Sequence, residues 1–99
     1  MRSVRPTPFP DDPFVDSMAV IGQAIRAART RAGLPMTSAA MAARVSVQTL
    51  VDVEAGKPTV GIGKLLQIAD ALGVSLFVVP AEQREEIRNQ LRTTSEGTR

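Results

Sequence analysis

The 99-residue chain contains no cysteine, histidine, tryptophan or tyrosine, and only three phenylalanines. Without cysteine there are no disulfides and no thiolate metal sites. Without histidine the commonest general base and the commonest metal ligand are missing too. The acids fall on charged, surface-type helical patterns, so no poised acid–base pair is visible. An enzyme is therefore the least expected class, and no cofactor or metal is expected. Long apolar runs are also lacking, and none approaches the length of a membrane span. The first residues carry prolines and acids where a signal peptide would need an apolar centre, so a cytoplasmic protein is expected. A strong charge excess is absent as well. Twelve basic residues against ten acidic ones leave a net charge of +2, which by itself is modest support for a nucleic-acid partner.

What remains is aliphatic. Hydrophobic residues make up 43% of the chain and aromatics 3%, so the core must be built from Leu, Ile, Val, Ala and Met. The length suits one domain with tails. A core drawn from residues 18–80 is small, and pairing of two copies would help its stability.

Residues 1–17, MRSVRPTPFPDDPFVDS, hold four of the seven prolines and no helical period. They read as a mobile arm, the alternative being that Arg2 and Arg5 reach into a minor groove. Asp16 or Ser17 can cap a helix over 18–32, in which Ile21, Ile25 and Ala28 form one apolar stripe. Gly33 supplies its end. A second helix is expected over 36–43, rich in small residues, and a turn at Arg44-Val45. Ser46 can then cap a third helix over 46–55, because its hydroxyl can accept from exposed backbone N–H groups two and three residues on. Leu50 and Val53 share one face of it; Gln48, Val51 and Asp52 point elsewhere. Gly56 ends it. A fourth helix follows over 62–72, with Ile62, Leu65, Leu66, Ala69 and Leu72 as its buried stripe. Residues 35–57 thus have the size and layout of a helix-turn-helix, the unit around which the rest is arranged.

From Ile21 to Val74 the chain resembles, without a gap, the Cro/CI-type (XRE) helix-turn-helix family. Ile21-Gly22, Ile25-Arg26, Arg29 and Gly33-Leu34 resemble that family's first helix. Val45-Ser46, Gln48-Thr49-Leu50, Glu54 and Gly56-Lys57 resemble its recognition helix and exit. Leu65-Leu66, Ile68-Ala69 and Ala71-Leu72-Gly73-Val74 resemble its fourth helix. Gly-Lys-Pro-Thr-Val at 56–60, with an apolar run where a fifth helix is common, looks most like the antitoxin-type (HipB-like) branch. The resemblance implies an all-α, lambda-repressor-like bundle of four to five helices, with the helix-turn-helix DNA-binding domain over residues 18–73. It also implies double-stranded DNA as the partner and an ion pair between Arg29 and Glu54. The family pattern is broken at Pro35, Met36, Ala39 and Arg44. Arg44 stands where a glycine is usual, so it either strains the turn or points to a phosphate.

A helix fits the major groove and shows its N-terminal residues to the base edges. Val47 and Gln48 occupy that end; Gln can pair with adenine and Val can pack on a thymine methyl. Val51 and Asp52 continue the face, and Asp52 could accept from a cytosine amino group. Phosphate contacts are expected from Arg44, Ser46, Thr49, Lys57 and Lys64, with Arg26 near the border. The third helix carries no basic residue, which leaves open a protein-interaction module that no longer binds DNA.

Val74-Ser75-Leu76-Phe77-Val78-Val79 is branched, apolar and closed by Pro80, the pattern of a strand. With no partner strand in the chain, Ser75, Leu76, Phe77, Val78 and Val79 are expected to pair with the same segment of a second subunit, making a homodimer. The alternative is a buried segment lying on its own helices. Residues 81–92 form a charged helix that completes a dimerisation region over 74–92, and 93–99 are expected to be a disordered tail. Two functions fit: a dimeric repressor reading a palindromic operator, or an antitoxin that regulates its own operon and also binds a cognate toxin protein.

Overall fold

A computed structural model describes residues 4–97 and shows an all-helical fold. Helix α1 spans Met18–Arg31, α2 Met36–Ala43, α3 Val47–Glu54 and α4 Ile62–Ala71; a short 3-10 turn at Ala81–Gln83 leads into α5, Arg84–Gly97. Ser17 caps α1, its hydroxyl accepting from the Val20 N–H. Helix α3 packs on α1 and α2, and α4 packs on α2. Ile25, Leu50, Val53, Leu65 and Ile68 are the large buried side chains between them. Ala39, Ala40 and Ala43 fill the α2 side of that core. Small residues there let α2 lie close to its neighbours, which is why a core with no buried aromatic can still be dense.

Close backbone approach sets the angle between α1 and α3. A Cβ at Gly22 would sit 2.5 Å from the Val53 carbonyl oxygen and 2.8 Å from that of Glu54. Only glycine fits where two backbones meet so tightly. Gly56, at φ 77°, turns the chain after α3 directly over Ala19.

The buried face of α4 differs from the expected stripe. Leu65 and Ala69 are buried, but so is Ile68, while Ile62 is 67% and Leu66 49% exposed. Helical periodicity alone allows two adjacent stripes, and α2 covers the one through Leu65, Ile68, Ala69 and Leu72.

The expected C-terminal strand does not form. Among the described residues there is no strand, and Ser75, Leu76, Phe77, Val78 and Val79 run on without a ladder. Strand N–H and C=O groups need a neighbour to bond to, and a lone chain of helices offers none. The Val74 N–H is held by the Ala69 carbonyl at 2.8 Å. Beyond it Leu76 and Phe77 are exposed and Val78 is 98% exposed, so the segment is not buried on its own helices either.

The N-terminal arm, expected to be mobile, is laid along α1. The Thr7 N–H donates to Thr30 Oγ1 at 3.0 Å, Gln23 Nε2 donates to the Pro8 carbonyl, and Arg31 stacks 4.7 Å above the Phe9 ring while donating to the Thr7 carbonyl. Further on, Asp12 pairs with Arg88 of α5 at 3.2 Å, and the same guanidinium stacks 4.8 Å above Phe14. Arg88 also pairs with Glu85. The arm thus straps α5 to the helical core. Arg2 lies outside the described residues, and Arg5 is exposed. Helix α5 continues to Gly97, past the expected boundary at 92; residues 98–99 of the expected tail lie outside the described residues. No helix among the described residues is long and apolar enough to cross a membrane.

Candidate nucleic-acid interface

Helix α3 is capped as its sequence predicts. Ser46 is extended at φ −70° and ψ 155°, and its Oγ accepts from the Thr49 N–H at 3.0 Å. The two hydroxyls of Ser46 and Thr49 also meet at 2.8 Å. Leu50 and Val53 are fully buried, which pins the helix by one face. The opposite face is left to solvent: Val47 is 41% and Val51 37% exposed, and Gln48 is exposed between them.

Asp52 is half-buried on the same face. Its Oδ1 accepts from Gln48 Nε2 at 2.9 Å and lies 3.3 Å from Lys57 Nζ. The Gln48 hydrogen bond first, and Lys57 after it, hold the Asp52 carboxyl below its ordinary range. The sequence-predicted residues Gln48, Asp52 and Lys57 are therefore one connected group rather than three independent ones.

Arg29 and Glu54 meet as a two-pronged pair, Nε to Oε2 at 2.6 Å and Nη2 to Oε1 at 3.0 Å. Both side chains are nearly buried. The remaining Arg29 Nη1 donates to the Leu34 carbonyl at 3.0 Å. This joins α1, the loop after it and the end of α3, so Glu54 faces inward and leaves the outer face of α3 free of its charge.

Arg44 closes α2 in the left-handed region, φ 59° and ψ 41°, the one non-glycine residue among those described with positive φ. Its side chain is exposed. The turn around it is secured by a residue that sequence reasoning missed. Gln67 of α4 donates its Nε2 to the Ala43 carbonyl at 2.7 Å and to the Arg44 carbonyl at 3.2 Å. Those carbonyls end a helix and lack intrahelical donors. A glutamine on the outer side of α4 carries no periodic signal, so only the fold could reveal it.

Lys57 and Lys64 are exposed on either side of the loop 57–61, and Arg26 is exposed on α1. Helix α4 begins at Gly61 without a side-chain cap, leaving its first N–H groups available to an acceptor from outside. The surface thus combines an outward helix face bearing Gln48 with flanking cations and an uncapped helix start. No group of three or more Asp and Glu residues suited to a metal ion occurs among the described residues.

Comparisons with known proteins agree with this architecture. The family model described as Helix-turn-helix matches residues 25–79. An uncharacterized HTH-type transcriptional regulator, y4mF of Sinorhizobium fredii, is 39% identical over 72 residues, covering 72% of this chain and 95% of the relative. Among solved structures, HipB in its O4 20mer complex superposes with a TM-score of 0.62 at 16% identity, over 69% of this chain and 96% of that one. The hypothetical transcription factor NHTF from Neisseria superposes with a TM-score of 0.59 at 22% identity, over 84% of this chain and 95% of that one.

Proposed function

Because the chain belongs to the XRE-type helix-turn-helix family of transcription regulators, a DNA-binding and non-enzymatic class, we propose that it acts as a dimeric repressor reading a palindromic operator through α3. The observation that carries this reading is the two-sidedness of α3: Leu50 and Val53 fully buried, Val47, Gln48 and Val51 facing out. A helix held by its inner face presents a fixed row of side chains to a major groove. Val47 packs on a thymine methyl, Gln48 pairs with adenine, and Val51 and Asp52 contact the bases that follow. Arg44, Ser46, Thr49, Lys57 and Lys64 hold the phosphates on either side, the uncapped start of α4 contributing its N–H groups. Repression follows from occupying the site that polymerase needs.

The dimer is formed through residues 75–79. The exposed apolar side chains of Leu76, Phe77 and Val78, in a segment without a ladder among the described residues, support pairing with the same segment of a second copy about a twofold axis. The two copies of α3 would then lie about one DNA turn apart, roughly 10–10.5 base pairs.

Selection of bound duplexes from a random pool tests both statements. The expected product is an inverted repeat with that half-site spacing. Recovery of no enriched sequence would refute specific readout, and a single unrepeated site would refute the symmetric dimer. The resemblance of Gly-Lys-Pro-Thr-Val at 56–60 to the antitoxin-type branch supports a second reading, an antitoxin that also binds a toxin protein. The two share the DNA-binding surface and differ in the partner, so co-purification with the product of a neighbouring gene separates them.

A further inference from the structure

Asp52 sits one helical turn after Gln48, on the side of α3 proposed to face DNA, and a bare carboxylate there repels phosphate. The structure gives it a task. Its Oδ1 alone takes both the Gln48 Nε2 donor at 2.9 Å and the Lys57 ammonium at 3.3 Å. An ionised carboxylate can only accept hydrogen bonds, so the Gln48 amide must turn its NH2 end toward residue 52. One of the two amide hydrogens is thereby used. What Gln48 has left is one carbonyl acceptor and one N–H donor. Adenine offers the complement in the major groove, an N6 donor beside the N7 acceptor, whereas guanine offers two acceptors, N7 and O6. A free glutamine amide could give both hydrogens to guanine; one already bonded to a carboxylate cannot.

The geometry points to Asp52 as a positioning residue that sets Gln48 for adenine over guanine and restrains Lys57 from phosphate in the unbound protein. The inference rests on the DNA-reading role proposed for α3. It also accounts for the acidic residue on a helix without a basic one. Pairing with Asp52 lowers the pull of Lys57 on DNA of any sequence, so more of the binding comes from matched bases. The low carboxyl pKa keeps Asp52 ionised near neutral pH, and both contacts persist there.

The test measures binding of the full chain to the selected operator, to the same operator with guanine at the Gln48 position, and to unrelated duplex across a salt series. Asp52→Ala is expected to reduce the adenine-over-guanine ratio about tenfold. The same variant should bind unrelated duplex several-fold more tightly, with a steeper salt dependence. Asp52→Asn keeps an acceptor oxygen and loses the charge. At the Gln48 position it should keep the adenine-over-guanine ratio, which is read apart from any change at the base that Asp52 itself contacts, while showing the same gain on unrelated duplex. Binding to unrelated duplex also reports that each variant is folded. Unchanged base preference in Asp52→Ala, or equal loss in both variants, would overturn the positioning role. Gln48→Ala separates the two levels: if it changes base preference while Asp52→Ala does not, only the positioning role fails. If Gln48→Ala also leaves preference unchanged, the proposed reading of α3 fails with it.

Discussion

At the scale of single residues, Arg29 spends three guanidinium nitrogens on two partners, Glu54 and the Leu34 carbonyl. Both charges are nearly out of water, so removing one leaves the other stranded. Arg29→Ala is expected to cost about 3–5 kcal/mol in urea unfolding, the usual penalty for an unpaired buried charge. The exposed pair of Lys57 with Asp52 should contribute far less to stability. Asp12 supplies a pH dependence. The Phe14 N–H, then Arg88, hold its carboxyl below the ordinary value of 3.8. A depressed folded-state pKa means stability that is present above the unfolded value and lost as pH falls through the folded one. Thermal melts below about pH 3.8 should therefore show a weaker acid sensitivity in Asp12→Asn than in the parent chain. The Arg29–Glu54 partnership could be anticipated from the family likeness, because both charges stand in family register. The Leu34 and Gln67 contacts could not, since a backbone carbonyl has no sequence signature and a lone glutamine has no period.

At the scale of elements, the helix starts were legible because capping is local chemistry: Ser17 and Ser46 sit where their hydroxyls meet an unbonded N–H. The buried face of α4 was not fully legible. Ile62 and Leu66 fit the apolar spacing as well as Ile68 does, and only the position of α2 decides among them. The expected strand over 75–79 fails to form for a related reason. Branched apolar residues report a preference, while a ladder requires a neighbour that one chain does not supply. Two element-level substitutions follow. Gly22→Ala would drive a methyl into the Val53 and Glu54 carbonyls. Those are backbone atoms of a packed helix, so a loss of at least about 1–3 kcal/mol is expected in thermal or urea unfolding. Arg44→Gly acts in the opposite sense. A left-handed backbone costs a non-glycine residue roughly 1 kcal/mol, so this variant should unfold at higher temperature. It should also bind every duplex more weakly if Arg44 holds a phosphate, and unchanged affinity would remove that residue from the interface.

At the scale of the whole molecule, the arm, the segment 75–79 and α5 enclose an open cavity of about 630 Å³ lined by Phe14, Ile21, Leu76, Val78, Arg88 and Leu91. Apolar side chains left in water around such a groove are the usual mark of a surface covered by another chain. This is the face proposed for the dimer, and it includes Leu76 and Val78 of the segment that the sequence led one to expect as a strand. Phe77→Asp combined with Val78→Asp should yield a stable monomer by sedimentation, because neither side chain belongs to the core. The same variant should lose affinity for an inverted repeat while still binding a half-site weakly. A dimer that survives both substitutions would place the interface elsewhere.

The claim on which all of this depends is that the outer face of α3 meets duplex DNA. Amide chemical-shift mapping during titration with the selected operator tests it most directly. The account predicts the largest changes at Arg44 through Asp52, at Lys57 and at the first residues of α4, with the N-terminal arm along α1 little affected. Changes centred on α5 or the arm, with Val47 and Gln48 unmoved, would contradict it.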